Sequence, residues 1–148
     1  MSVQCDPHIM QLLLRLDLFR GMTEAELGLI LEASCLVEFA SGEYAIREGE
    51  QDHHVFVLLS GKARIVKRAI AIQKVIQDLG PGECFGEMSL IDCRSRSASV
   101  KAVGACKTLR ISGDALTALP DVSAKVYRNI ACKLSQRLRH ANDLLTLG

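Results

Sequence analysis

Between Leu36 and Ile111 the chain is cut into short β-branched and apolar runs by glycine-bearing stretches: SGE at 41–43, EGEQD at 48–52, SGK at 60–62 and GPGE at 80–83. Many short strands at such regular spacing argue for an all-β roll, sandwich or barrel. Two of the runs alternate. In SASVKAV, Ala98, Val100 and Ala102 fall on one face and Ser97, Ser99 and Lys101 on the other, and TLRI at 108–111 repeats the pattern. SGK reads as a turn between strands, as the other three breaks do.

On both sides of this region the hydrophobic period changes. Residues 7–18 place Ile9, Leu12, Leu13 and Leu16 along one helical face, closed by Phe19-Arg20-Gly21. Thr23 followed by Glu26 is a capping-box signature, which opens a second helix running to about Ala33. Past Pro120, Tyr127, Ala131, Leu134, Leu138, Ala141 and Leu145 recur at spacings alternating between four and three, a heptad seam. Val122, Val126 and Ile130 form a second apolar line on an adjacent face. Two readings stay open: one wide stripe facing the core, or a core line at 122, 126 and 130 with the seam left for a partner helix.

At 148 residues the chain is read as one domain, with a helical lead-in over about 7–33, a β-roll over about 35–112 and a C-terminal helix over about 122–145. The net charge of +1 gives no bulk signal for nucleic acid or membrane. No apolar stretch approaches the roughly 20 residues of a membrane helix. The opening MSVQCDPHIM lacks a basic segment followed by an apolar one, so a cytoplasmic location is expected. Six irregularly spaced cysteines, without a C-x-x-C or a Cys/His pairing, read as thiols and not as disulfides, zinc ligands or cluster ligands. No metal site is expected. His53 and His54 read as loop residues, and with no positioned base or nucleophile the chain is not expected to be an enzyme.

The stretch ECFGEMSLIDCRSRSASV, residues 83–100, has the densest chemistry. Gly86 frees the backbone to turn, and residues 87–91 can make one helical turn whose first N–H groups lack intrahelical acceptors, suiting an anion. Arg96 offers a planar, permanently charged fork for phosphate oxygens, and Ser97 another donor. A carboxylate next to a phosphate would be repelled, so Glu87 is better used on a hydroxyl, as acidic residues serve riboses elsewhere. The plainer alternative is that Glu87 and Arg96 pair with each other.

Phe85, Gly86, Glu87, Met88, Ser89 and Leu90, then Arg96, Ser97, Ala98, Ser99 and Val100, resemble the phosphate-binding cassette of the cyclic nucleotide-binding domain family. That family includes the bacterial catabolite activator and the regulatory subunits of cyclic AMP-dependent kinase. The likeness extends over about residues 12–145, through LFRGMTEAELGLILEAS, SGEYAIREGEQDHHVFVLLSGKARI and LGPGECFGE. It implies a mainly β fold, an eight-stranded, jelly-roll-like β-roll with flanking helices. It further implies Glu87 on the ribose 2′-hydroxyl, and Arg96 and Ser97 on the cyclic phosphate. Backbone N–H groups near Met88 and Ser89 would assist, with Gly86 making the turn.

Ser89 stands where Ala or Gly is commoner, and its hydroxyl could crowd the cassette or help it. Resemblance to the catabolite activator also brings Ala141 and Asn142 toward the purine. Asn142 can both donate to and accept from adenine, which implies a modest preference for cAMP over cGMP, with Ser97 as a rival selector toward guanine. No cofactor beyond this ligand is implied.

The expected molecule is a stand-alone cyclic nucleotide receptor module that signals by repositioning its C-terminal helix toward an effector protein. Homodimerisation through helix 122–145 is expected, with no membrane partner and no helix-turn-helix before Gly148. Two rivals remain: a ligand-free interaction scaffold, and a nucleic-acid-binding dimer using Lys125, Arg128, Lys133, Arg137 and Arg139. Cys93, in the variable loop, is a candidate for oxidation.

Overall fold

The computed structural model describes residues 6–92 and 94–147. The Cys93 expectation lies outside them. Two helices lead in, α1 (Pro7–Arg15) and α2 (Glu24–Glu32), joined through a 3-10 turn at Asp17–Phe19. The first helix thus ends at Arg15, short of Phe19-Arg20-Gly21, because Leu16 takes an extended backbone (ψ 134°) that starts the 3-10 turn. Asp6 caps α1. The capping box of α2 forms as its residues suggest: Glu26 N–H donates to Thr23 Oγ1 at 3.1 Å, and Thr23 N–H to Glu26 Oε1 at 2.9 Å.

Six antiparallel strands follow: β1 (Ser34–Phe39), β2 (Tyr44–Ile46), β3 (His54–Ala69), β4 (Ile72–Leu79), β5 (Cys84–Phe85) and β6 (Ser99–Ser112). One helical turn, α3 (Ser89–Asp92), lies between β5 and β6. The sheet runs β1-β6-β3-β4, with β2 paired to β6 and β5 to β3. Among the described residues the count is six where eight were expected, because β3 and β6 each run unbroken through a glycine, Gly61 and Gly104. Gly61 does not make a turn. Its φ of +88° and the register shifts on both sides of Ser60 mark a bulge inside β3. A Cβ there would stand 2.3 Å from the Ala105 carbonyl oxygen, so the two strands approach at a point only glycine allows.

Alternation along β3 divides the core in two. Val55 and Val57 point into a cluster with Leu13, Leu27, Leu109 and Leu116, between the sheet and the helices. Phe56 and Leu58 point the other way, into the roll, with Ile46, Leu79, Phe85 and Val100. Phe56 stacks on Phe85 at 5.1 Å between ring centroids. After β6 come a short helix α4 (Gly113–Ala118), which the sequence pattern does not announce, and the long α5 (Pro120–Leu147). Val122, Val126 and Ile130 are buried in the helix-side cluster. Of the seam, Leu134 is half-buried against that cluster, while Tyr127, Leu138 and Leu145 are exposed.

β3 and β4 meet in a hairpin whose turn is Ile70-Ala71, between the paired Ala69 and Ile72. Ala71 has φ +64°, the one non-glycine residue among those described with a left-handed backbone. Such a position costs a residue with a Cβ about 1–2 kcal/mol. Ala71→Gly should therefore raise stability by about 0.5–1 kcal/mol, after the extra unfolded-state entropy of glycine is subtracted. Urea unfolding would show a higher midpoint at unchanged slope; a lower midpoint would mean the turn is unstrained.

Candidate functional site

The cassette starts where β5 ends. Gly86 has φ +86°, and a Cβ there would lie 2.9 Å from the His54 carbonyl oxygen and 3.1 Å from Arg96 Nη1. Glycine is needed for both the turn and the close approach. The single turn of α3 follows, only four residues long. The N–H groups that lead into it, those of Glu87, Met88 and Ser89, find no acceptor among the described residues.

Arg96 is the centre of the arrangement and only 7% exposed. Its Nη1 donates to the Gly86 carbonyl at 2.9 Å and to Ser89 Oγ at 3.0 Å. Its Nη2 donates to Asp52 Oδ1 at 2.6 Å and to the His54 carbonyl at 2.7 Å. Its Nε is buried without a partner. Ser89 therefore helps rather than crowds: its hydroxyl accepts from Arg96 and donates to the Gly86 carbonyl at 2.9 Å. Burial works to raise the Asp52 pKa, but the hydrogen bonds from Arg96 and the His54 N–H outweigh it and hold the carboxyl below its ordinary value. A carboxyl lowered in this way stabilises the fold above its unfolded pKa. That stabilisation is lost as pH falls through the lowered folded value.

Glu87, 5% exposed, does not pair with Arg96. Its Oε1 accepts from Lys133 Nζ of α5 at 2.8 Å, and its second oxygen has no partner among the described residues. Two further links hold α5 in place: Asn129 Nδ2 donates to the Leu18 and Arg20 carbonyls at 2.8 and 3.0 Å, and Lys125 pairs with Glu26 at 2.6 Å.

Glu87, Arg96, Asn129 and Lys133 lie on the wall of a cavity of about 570 Å³. Gly86, Glu87, Met88, Ser89, Arg96 and Ser97 all line it. Asn142 does not; the polar residues that α5 contributes are Asn129, Lys133 and Arg137, successive at four-residue steps on one face. Asn142 lies exposed on α5 beyond them. On sequence alone Lys133 and Arg137 read only as part of a basic face, and nothing singles out Asp52 or Asn129. The Cys84 thiol also lines the cavity, and burial, reinforced by the Glu87 carboxylate, pushes it up to about 12, so it stays protonated. Among the described residues no cluster of His, Cys, Asp and Glu could hold a metal ion.

A β-roll with a polar cavity, one wall a glycine turn around a buried arginine and the other a long helix, defines a receptor-type binding domain for a small anionic ligand. Known proteins agree with that description. The family profile described as "Cyclic nucleotide-binding domain" matches residues 36–121. The chain belongs to the cyclic nucleotide-binding domain family.

It is 34% identical over 133 residues to the "Cyclic AMP receptor protein" of Thermus thermophilus, covering 87% of this chain and 62% of that one. It is 31% identical over 99 residues to a "cAMP-dependent protein kinase regulatory subunit" of Mycosarcoma maydis, covering 67% of this chain and 19% of that one. Among solved structures, the Thermus thermophilus catabolite activator protein superposes with a TM-score of 0.75 at 32% identity, covering 88% and 62% of the two chains. The sensor domain of the transcriptional regulator DNR from Pseudomonas aeruginosa gives 0.82 at 26% identity, covering 97% and 95%. The chain thus spans less than two thirds of its Thermus relative.

The geometry predicts a structural cost for Arg96→Leu. Removing the guanidinium strands Asp52 and two carbonyls, so the variant should lose about 3–5 kcal/mol of stability as well as its anion contact. Urea unfolding of Arg96→Leu beside Asp52→Asn would read this; a loss under about 1 kcal/mol for Arg96→Leu would show that the guanidinium contacts do not support the fold.

Proposed function

We propose that the cavity binds a cyclic nucleotide, cAMP in preference to cGMP, and that occupancy is passed to α5. The observation that carries this reading is the buried, unpartnered Nε of Arg96, a residue that lines the cavity, together with three backbone N–H groups of the neighbouring cassette turn that also lack acceptors among the described residues. A buried polar donor without a partner is costly. The cyclic phosphate would satisfy Nε and the N–H groups of Met88 and Ser89 together, with Ser97 adding a donor. The free oxygen of Glu87 would accept from the ribose 2′-hydroxyl. The purine would then lie toward α5. The reading is of a non-enzymatic receptor, and it draws support from the names of the cAMP-binding relatives.

Calorimetry with cAMP tests this. Arg96→Lys, which keeps the charge but loses the fork, should weaken binding about tenfold or more. Glu87→Gln should cost less, and its cost should vanish with a 2′-deoxy ligand. No heat of binding with either cyclic nucleotide would end the reading in favour of an interaction scaffold.

Base choice moves from Asn142 to Arg137. Arg137 lines the cavity and makes no ion pair or hydrogen bond among the described residues. A guanidinium has donors only, which suits guanine O6 and N7 and opposes the adenine amino group. The preference for cAMP draws its support from the names of the relatives, and in this reading Arg137 narrows it. Arg137→Ala should widen the cAMP-to-cGMP affinity ratio by about tenfold. An unchanged ratio in competition binding would remove Arg137 from the base.

The exposed part of the heptad seam is the proposed dimer contact. Leu134 is partly buried in this chain's own core, so the informative substitutions are Leu138→Glu with Leu145→Glu, at 66% and 79% exposure. They should give folded monomers by sedimentation. A wild-type protein that is monomeric at high micromolar concentration would refute the contact.

A further inference from the structure

The end of the β3–β4 hairpin breaks three local rules at once. Its turn residues are Ile and Ala where Asn and Gly would relieve the backbone, and Ala71 takes a left-handed φ. Ile70 is 98% exposed and Ile72 67%. Lys67 and Lys74 sit directly opposite each other in the ladder, a pairing that destabilises a sheet. Departures that cluster in this way, with no gain to the fold, point to a role at that place.

The hairpin's two faces differ. On one face Val66 is buried, its partner Val75 is 52% exposed, and Gln73 reaches Tyr44 and Lys101. The pairs Lys67–Lys74 and Ala69–Ile72 lie on the opposite, outward face. Over residues 62–78 there are five cations and one carboxylate, Asp78, which is committed to Arg64 and Lys62. Lys67, Arg68 and Lys74 make no ion pair among the described residues. The net charge of the whole chain hides this basic end.

We propose that this hairpin tip docks on an anionic lipid surface. It is a convex finger, so it presents no groove to a partner but can enter a soft interface. At about 3.3 Å per strand residue, Ile70 stands roughly 10 Å beyond the lysine pair. That matches the depth of about 5–10 Å at which apolar groups settle below headgroups while cations stay among them. A second copy of this chain is a poor occupant, because its exposed helix α5 is basic as well, with Arg128, Arg137 and Arg139. The docking is peripheral: among the described residues no helix is long and apolar enough to cross a membrane.

The chain contains no tryptophan, so Ile70→Trp places a single reporter at the tip. Its emission should shift to the blue with phosphatidylcholine–phosphatidylserine vesicles and stay unchanged with phosphatidylcholine alone. Wild-type protein should sediment with the anionic vesicles and be released by high salt. Lys67→Gln with Lys74→Gln should weaken partitioning about fivefold per charge removed. Ile70→Ser with Ile72→Ser should weaken it about tenfold or more.

Both double variants alter exposed side chains, and unchanged thermal melts serve as the folding control. No sedimentation of the wild type with anionic vesicles overturns the proposal, and is the result expected if the tip serves an acidic protein instead. Equal sedimentation of the Ile70→Ser/Ile72→Ser variant overturns it too, as does an unshifted emission from the Ile70→Trp reporter.

Discussion

A single buried guanidinium holds the site together. Arg96 joins the loop before β3, through Asp52, and the first residue of β3, through the His54 carbonyl, to the cassette turn, through Gly86 and Ser89. A cation taken out of water is tolerated only with several well-placed acceptors, and the protein supplies four. Gly86 has to be glycine partly because Arg96 passes so close to it. The acceptors satisfy the outer nitrogens and leave Nε over. The cassette is held by contacts within the chain itself, with one donor left over. Preorganisation of this kind reduces the ordering cost of binding.

The second wall is fixed to the body at one end only. α5 is anchored at Val122, Val126 and Ile130 by burial and at Lys125, Asn129 and Lys133 by polar links, and beyond Leu134 it is exposed. Lys133 is the last link, and its partner is the carboxylate on the cavity wall. Any ligand that competes for Glu87, or that draws Lys133 or Arg137 inward, acts at the point where the helix leaves the body. About 14 residues extend past that point, roughly 20 Å at about 1.5 Å per residue. A tilt of about 10° there would carry the helix end ~3.5 Å, enough to change how an apolar seam meets its partner.

What the sequence disclosed follows from the range of each interaction. The Thr23–Glu26 box and the apolar faces of α1 and α5 are local, and each formed. The cassette turn was legible because Gly86, Glu87 and Arg96 lie within ten residues of one another. Asp52 and Lys133 were not legible as site residues, since each meets its partner 44 or more residues away in the chain. Gly61 reads as a turn because a turn and a bulge make the same local demand, a left-handed backbone. The Ile70-Ala71 turn carries no turn residue at all, so nothing marks it. Asn142 was placed by likeness, whereas the four-residue step through Asn129, Lys133 and Arg137 shows which face of α5 meets the cavity.

The dual use of β3 bears on the order in which the molecule assembles. The β3–β6 ladder joins His54 to Ser112 and Val66 to Ser99, so closing it requires distant segments to meet. Pairings of such separation are slow, since the entropy of loop closure precedes any gain from contact. Both hydrophobic clusters are backed by that ladder, and α5 has no surface to settle on until Val55, Val57, Leu109 and Ile111 are in register. Lys133 can then find Glu87 only in the final stage. On this order the helix-side wall of the cavity would form last in a refolding chain, and amide exchange that is fastest in α5 beyond Leu134 and slowest in the β3–β6 ladder would be its signature.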